Sequence, residues 1–353
     1  MISAIAKERL GNQRIERSSI RDAADLVAWL GAVQAQEYAV AKWALALRMA
    51  KVPDAAVVEQ ALTDGRVLRT HVLRPTWHFV AAADIRWMLE LTAPRVRTAL
   101  EYACRQFEVD AALRVRAAKA FERALRDGDA LTRTELGKLL STRGVAGASG
   151  TRLGLLALHA ELEGIMCSGP VRGKHRTYAS LAVRAPKARR LSRDEALAEL
   201  TLRYFRSHAP ATVRDFAWWS GLTVADAKRG VEMASIRSEA IDGRSYWRAG
   251  RASSGRPASA RAHLLPIYDE YLVAYRDAHG APRAEGTGGR LAPAMVVGGE
   301  IVGTWRTVAQ GDELVLNLSC RRRLSADERR ALDEVAARYG RYSGKAVTIS
   351  MKS

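Results

Sequence analysis

Cysteine is scarce in this chain. Cys104, Cys167 and Cys320 are the only three in 353 residues, widely spaced and odd in number. That excludes a disulfide framework and a cysteine-rich zinc site, and fits reduced thiols in a cytoplasmic protein. Lysine is scarce too: 10 of the 56 basic residues, the other 46 being arginine. The arginine bias fits a GC-rich genome as readily as an arginine-based recognition surface, so alone it decides nothing. Apolar runs fall well short of a membrane span, and charges interrupt them. The opening Met1-Ile-Ser-Ala-Ile-Ala-Lys-Glu-Arg9 has no basic segment leading into an apolar core, so no signal peptide is expected. No block of like charge forms a tail. A phosphate-cradling glycine loop is missing, and His71 and His78 lie seven apart without a carboxylate or cysteine at ligand spacing. Neither a metal nor a cofactor is therefore expected.

What the chain has in excess is positive charge. The formal net charge is +18 and the isoelectric point is near 10.3. Such a surface favours a polyanionic partner, because each phosphate contact releases condensed counterions. The excess is uneven. Residues 101–190 carry 17 basic against 9 acidic residues, and residues 191–255 carry 10 against 8. The middle of the chain is thus the expected phosphate-tracking surface. With 48% hydrophobic residues there is ample apolar material for one to three cored domains.

The order of patterns repeats. Residues 20–30, 38–49 and 54–64 read as helices, with Gly31 stopping the first, and residues 67–80 read as a strand pair turning near Pro75. A further helix is expected over 82–91, with Pro94 opening another. Helices then follow over 111–126, from the Thr132-x-x-Glu135 capping box, and over 152–163, before a basic glycine-rich hairpin at 164–178. A third round runs through 193–207, 212–221 and 223–233 to 236–248. Three rounds of helices plus a hairpin describe tandem winged helix-turn-helix motifs. Arg251-Ala-Ser-Ser-Gly-Arg-Pro257 reads as a linker. Beyond it strands dominate, with a Gly298-Gly299 hairpin signal and one helix from Ser325 to Tyr339. The expected fold class is α+β, tandem winged helices with a C-terminal β-barrel-like domain. The expected boundaries are 1–100, 101–190, 191–252 and 253–353.

The chemistry-bearing residues are few. Gln34 and Gln36 sit in Gly31-Ala-Val-Gln-Ala-Gln-Glu37. On a helix they would diverge by about 200°; in an extended segment both would face one side and could converge on one target. They could equally cap the helix at Tyr38 or bind backbone. Glu37 could act as a base but is better read as complementing a helix dipole. Arg69 and Arg74 are DNA-contact candidates in Arg69-Thr-His-Val-Leu-Arg-Pro-Thr-Trp-His-Phe79. His71 and His78 either reach phosphate or pack in the core. Arg172, Lys174, His175 and Arg176 form either a groove-entering wing or a solvated turn. Of Trp218 and Trp219, at least one belongs in the core. Asp269-Glu270, in an apolar aromatic setting, reads better as a structural hydrogen-bonding element than as an acid/base pair.

These motifs together resemble the winged-helix family of AlkZ- and YcaQ-like bacterial DNA glycosylases, which unhook interstrand crosslinks and excise alkylated purines. The resemblance runs over nearly the whole chain. Gln34-Ala-Gln36 matches the Gln-apolar-Gln signature of the AlkZ-like branch. Residues 69–79 match the hairpin usually reading Arg-x-x-x-x-Arg-Gly-Thr-x-His, with Pro75 in place of the glycine. His263-Leu-Leu-Pro-Ile-Tyr-Asp-Glu-Tyr-Leu272 and Gly298-Gly-Glu-Ile-Val-Gly-Thr-Trp305 match the two C-terminal signatures. The resemblance implies a monofunctional glycosylase for N7- or N3-alkylated purines, serving DNA repair or genotoxin self-resistance. Gln34 and Gln36 would be catalytic, and Arg69, His71, Arg74, Arg172, Lys174, His175 and Arg176 would contact DNA. Such bases are cationic, already good leaving groups, and need no strong acid; amide oxygens suffice to place water and face positive charge on the sugar. The expected partner is double-stranded DNA, met by a monomer at the nucleoid with no obligate protein partner and no membrane. The competing reading is a non-catalytic winged-helix DNA-binding protein or transcriptional regulator, because winged helices are mostly binding modules.

Overall fold

Asp22 begins the arrangement that positions the glutamine segment. In the computed structural model, which describes residues 4–250, 261–276 and 291–352, its carboxylate accepts the backbone N–H groups of Ala24 and Asp25, capping the helix Ala23–Leu30. Gly31, at φ +85°, ends that helix, and the chain turns into the two-residue strand Val33–Gln34. That strand pairs antiparallel with Trp77–Ala81, which pairs in turn with Val67–His71, so the hairpin expected from the sequence is present. The helices Tyr38–Ala46 and Ala55–Thr63 lie between.

The same order recurs twice. Helix Ala111–Ala124 is followed by strand Ala130–Thr132, helices Arg133–Thr142 and Gly150–Leu162, and the hairpin Met166–Ser168 with Thr177–Ser180. In both sheets the short first strand pairs with the last strand of the round. In the third round helix Arg193–Ser207 precedes helices Val213–Ser220 and Val224–Met233 and the hairpin Arg237–Ile241 with Arg244–Arg248. There the first strand shrinks to a single bridge between Ala211 and Trp247. Capping boxes open the helices at Thr132/Glu135, Ser192/Glu195, Thr212/Asp215 and Thr223/Asp226.

Two expectations need correction. Pro94 does not open a helix: Ile85–Gln106 is one continuous helix with Pro94 inside it. Its buried face, carried by Trp87, Met88, Leu91, Val96 and Leu100 on both sides of the proline, outweighs the ~3 kcal/mol that an internal proline costs. The C-terminal strands do not close a barrel among the described residues. Ala262–Leu265, Ala294–Val297, Glu300–Gln310, Glu313–Cys320 and Ala346–Lys352 form one open sheet, antiparallel except for its last pair. Helix Ala326–Ser343 packs on it and supplies the cover that a closed wall would give. The expected linker at 251–257 lies outside the described residues.

The C-terminal sheet has no core of its own. Leu264, Met295, Leu316 and Leu332 pack in one cluster with Leu26, Trp43, Val58 and Phe79. Trp43 donates Nε1–H to the Leu264 carbonyl at 2.7 Å and meets Tyr339 edge-on. The second and third rounds share the other cluster with the helix Ile85–Gln106. Among the described residues no helix is long and apolar enough to cross a membrane.

Candidate active site and nucleic-acid interface

Register decides what surrounds each glutamine. Gln34 lies across from His78, which lies across from Thr70; Val33 lies across from Phe79, which lies across from Arg69. Adjacent strand residues point to opposite faces. Gln34 therefore shares a buried face with His78 and Thr70, while Arg69, His71 and Trp77 occupy the other.

Gln34 is only 8% exposed. Its backbone N–H donates to Glu270 Oε1 at 2.7 Å, and its side-chain oxygen accepts from Arg74 Nη2 at 2.9 Å. Glu270 is fully buried. Its other oxygen accepts Trp219 Nε1–H at 2.8 Å and lies 3.5 Å from His208 Nε2. Burial pushes the Glu270 carboxyl up, but His208 and the Gln34 N–H outweigh it and hold the group below its ordinary range. Burial first, then Arg74, lowers His78 to about 3, so it is a neutral imidazole. Its Nε2 has no partner, and Nδ1 meets the Thr76 carbonyl at 2.9 Å.

Gln36 is exposed and lines a cleft of about 450 Å³ between the first and second rounds. Its side-chain oxygen accepts the Trp77 N–H at 3.3 Å, and its carbonyl receives Arg69 Nη2 at 3.4 Å. The extended segment stops at Gln34, so the two amides sit in different surroundings rather than side by side in one cavity. Neither caps the helix at Tyr38, where Glu37 takes the cap position without a side-chain bond.

Arg69 is buried beneath the cleft. Its Nε donates to the Ala35 carbonyl at 2.9 Å and its guanidinium lies 4.0 Å over the Trp77 ring. Burial, then Arg176, lowers its pKa to about 10. His71 is buried too, bonded through Nδ1 to the fully buried Glu161 and packed 3.9 Å from the Trp77 ring. Lys174, His175 and Arg176 line the cleft from the second-round hairpin, with Arg176 over Tyr38. Arg172 stands outside it, paired with Glu135. The structure thus brings Gln36, Arg69, Lys174, His175 and Arg176 to one concavity, and leaves Gln34, His71, Arg74 and Arg172 off its lining.

Several participants were not singled out from the sequence. Arg133 and Trp77 line the cleft, and Glu59 in its wall takes Tyr38 Oη–H at 2.7 Å and Lys42 at 2.5 Å. Trp77 stood inside the quoted motif; Glu59 carried no signal. Asp269 and Glu270 do serve as hydrogen-bonding elements: Asp269 accepts both Arg48 Nη groups at 2.6 and 2.7 Å in the interior. Trp219 is buried, while Trp218 is half exposed. Among the described residues no group of three or more His, Cys, Asp or Glu could hold a metal ion.

Comparison with known proteins sets this geometry in a lineage. The family described as DNA glycosylase AlkZ-like matches residues 27–342. A Streptomyces sahachiroi protein named interstrand DNA cross-link repair glycosylase is 27% identical over 340 residues, spanning 87% of this chain and 88% of that one. The solved structure of Streptomyces sahachiroi DNA glycosylase AlkZ shares the fold, with a TM-score of 0.80 over 100% of both chains at 24% identity.

Proposed function

The chain belongs to the AlkZ-like DNA glycosylase family, and from that premise we propose that it hydrolyses the N-glycosidic bond of N7- or N3-alkylated purines in duplex DNA, bulky adducts and interstrand crosslinks included. The name of the Streptomyces sahachiroi relative supports the crosslink substrate. The observation that carries the reading is Gln36, open on a cationic cleft, two residues from a Gln34 whose amide and backbone are both held in place.

The chemistry asks little of the protein. Water adds at C1′ of the deoxyribose as the carbon–nitrogen bond breaks; the bonding pair leaves with the purine, which passes from cation to neutral base. The proton released from water goes to solvent. Gln36 orients the water through its amide. Gln34, off the cleft lining and bonded to Arg74, reaches the sugar by exchanging that contact as the nucleotide enters, so that its amide oxygen faces the positive charge developing there. No amine attacks C1′, so the product is an abasic site with the strand intact.

Lys174, His175 and Arg176 contact backbone phosphates from the rim, and Arg172 joins them by exchanging Glu135 for phosphate. Arg69, His71 and Arg74 work from beneath that surface, shaping the cleft floor and the Gln34 amide. We read each of the three rounds of helices and hairpin as a winged helix, with units over 1–100, 101–190 and 191–252 followed by the β-rich segment 253–353; the helix Ile85–Gln106 runs across the first boundary and joins two rounds. The protein works as a monomer on double-stranded DNA, at the nucleoid in the cytoplasm, in repair or in resistance to a genotoxin.

The test uses duplexes carrying N7-methylguanine or a nitrogen-mustard crosslink, scored for alkali-labile abasic sites. Abasic sites in both, without strand breaks before alkali, support the proposal. Intact duplex affinity with no excision of any alkylated purine replaces it with a regulator that only binds.

A further inference from the structure

A second concavity lies apart from the glutamines, where the segment after the first helix meets the C-terminal sheet and helix. It has a volume of about 330 Å³ and gathers Arg14, Arg261 and Arg338 around His263. Among the described residues none of these arginines has a carboxylate within ion-pair distance, although Glu16 and Glu334 also border the cavity. Arg14 lies 3.9 Å over the Trp29 ring, and its buried Nε has no partner. Arg261 gives one Nη1 hydrogen to the Glu16 carbonyl at 2.6 Å. His263 is 5% exposed, and its Nε2 also lacks a partner.

Like charges held together in a partly buried cavity repel, and a buried donor without a partner, such as Arg14 Nε, destabilises the fold. Both costs vanish if an anion with several acceptor oxygens enters. Arginine forks match the oxygens of phosphate, and the cavity has room for a phosphodiester or phosphate group. Burial, then Arg338 and Arg261, lowers His263 to about 3, and burial, then Arg341 and Arg261, lowers Arg338. His263 is thus a neutral imidazole, and the pull of Glu334 on Arg338 is the smallest of the influences on it, so the guanidinium groups dominate the charge of the cavity.

We propose that the cavity bounded by Arg14, Arg261, Arg338 and His263 is a phosphate-binding site distinct from the glutamine cleft. The phosphate comes either from the DNA backbone, which rests on the glycosylase reading, or from free phosphate, which does not.

The test compares the full chain with Arg338→Ala, Arg261→Ala and the double variant, using Arg338→Lys as the charge-retaining control. One arm follows the thermal midpoint on titration with inorganic phosphate against sodium chloride of equal ionic strength. The other follows affinity for undamaged duplex DNA against salt. A backbone site lowers the slope of log affinity against log salt by about one in the double variant, with little change in Arg338→Lys. A free-phosphate site raises the wild-type midpoint with phosphate and loses that rise in the double variant, with DNA binding unaltered. In either case single-turnover excision on saturating damaged duplex stays as in the wild type. Unchanged phosphate response and unchanged salt slope in the double variant overturn the proposal, whatever the excision assay shows.

Discussion

The Glu270 carboxylate accepts the backbone N–H of Gln34 at 2.7 Å across 236 positions of sequence. The same carboxylate takes the indole N–H of Trp219 from the third round. The short strand proposed to carry the chemistry is therefore clamped from the C-terminal segment and the third round at once. Glu270→Ala leaves buried donors unpaired, and the expected loss of stability is about 3–5 kcal/mol. Glu270→Gln keeps one acceptor oxygen but sets an N–H against another donor, so it recovers only part of that loss. Urea midpoints and single-turnover excision rates check both variants; a wild-type excision rate in folded Glu270→Ala removes the clamp from the account.

Gly221 presses on the turn that carries Arg74. At φ +70°, a Cβ there would sit 2.1 Å from the Leu73 carbonyl oxygen, and Leu73, itself at φ +64°, is held by Thr92 through its N–H at 3.1 Å. Gly221→Ala displaces this turn and with it the Arg74 contact to Gln34. The expected outcome is a stability loss of about 2 kcal/mol or more, with excision falling further than duplex affinity. Paired denaturation and single-turnover measurements check it.

Local chemistry made much of this fold legible. Gly31, the Thr132-x-x-Glu135 capping box and the Gly298-Gly299 turn each act within a few residues, and each stands where the sequence placed it. Pro94 misled because its cost is local while the apolar face that overrides it is tertiary. The Gln34–Gln36 segment was legible as an extended piece, but not its end at Gln34, which sends the two side chains into different surroundings. Glu270 was readable as a hydrogen-bonding residue in its motif; its partner, a backbone N–H more than two hundred residues away, leaves no mark on spacing.

Acid should weaken the fold earlier than carboxylate titration alone. His78 and His263, ordinarily near 6.5, stand at about 3 because burial disfavours their charged forms, and His159 at about 4 for the same reason. Below pH 6.5 the unfolded chain binds protons at these positions while the folded chain does not, so stability falls as pH falls through that window. Glu270, held below its ordinary 4.5 when folded, acts in the same direction further down. Urea midpoints from pH 7 to pH 4 check this, and His263→Phe is expected to flatten the slope between pH 6.5 and 4.

The basic hairpin separates exposed from committed charge. Lys174→Ala with Arg176→Ala removes two cations from the cleft rim, and the expected result is weaker duplex binding with a salt slope shallower by about two. Arg172→Ala breaks a solvent-exposed pair with Glu135, which contributes little to stability, and shifts the slope by at most about one. Titrations at several salt concentrations distinguish the two.

The central claim is that Gln34 and Gln36 carry the excision. It is tested most directly by the single-turnover rate on a duplex with one N7-methylguanine, at saturating enzyme, for Gln34→Ala and Gln36→Ala. The account predicts a fall of roughly a hundredfold or more in each variant, with duplex affinity within about threefold of wild type. Wild-type rates in both variants would contradict it.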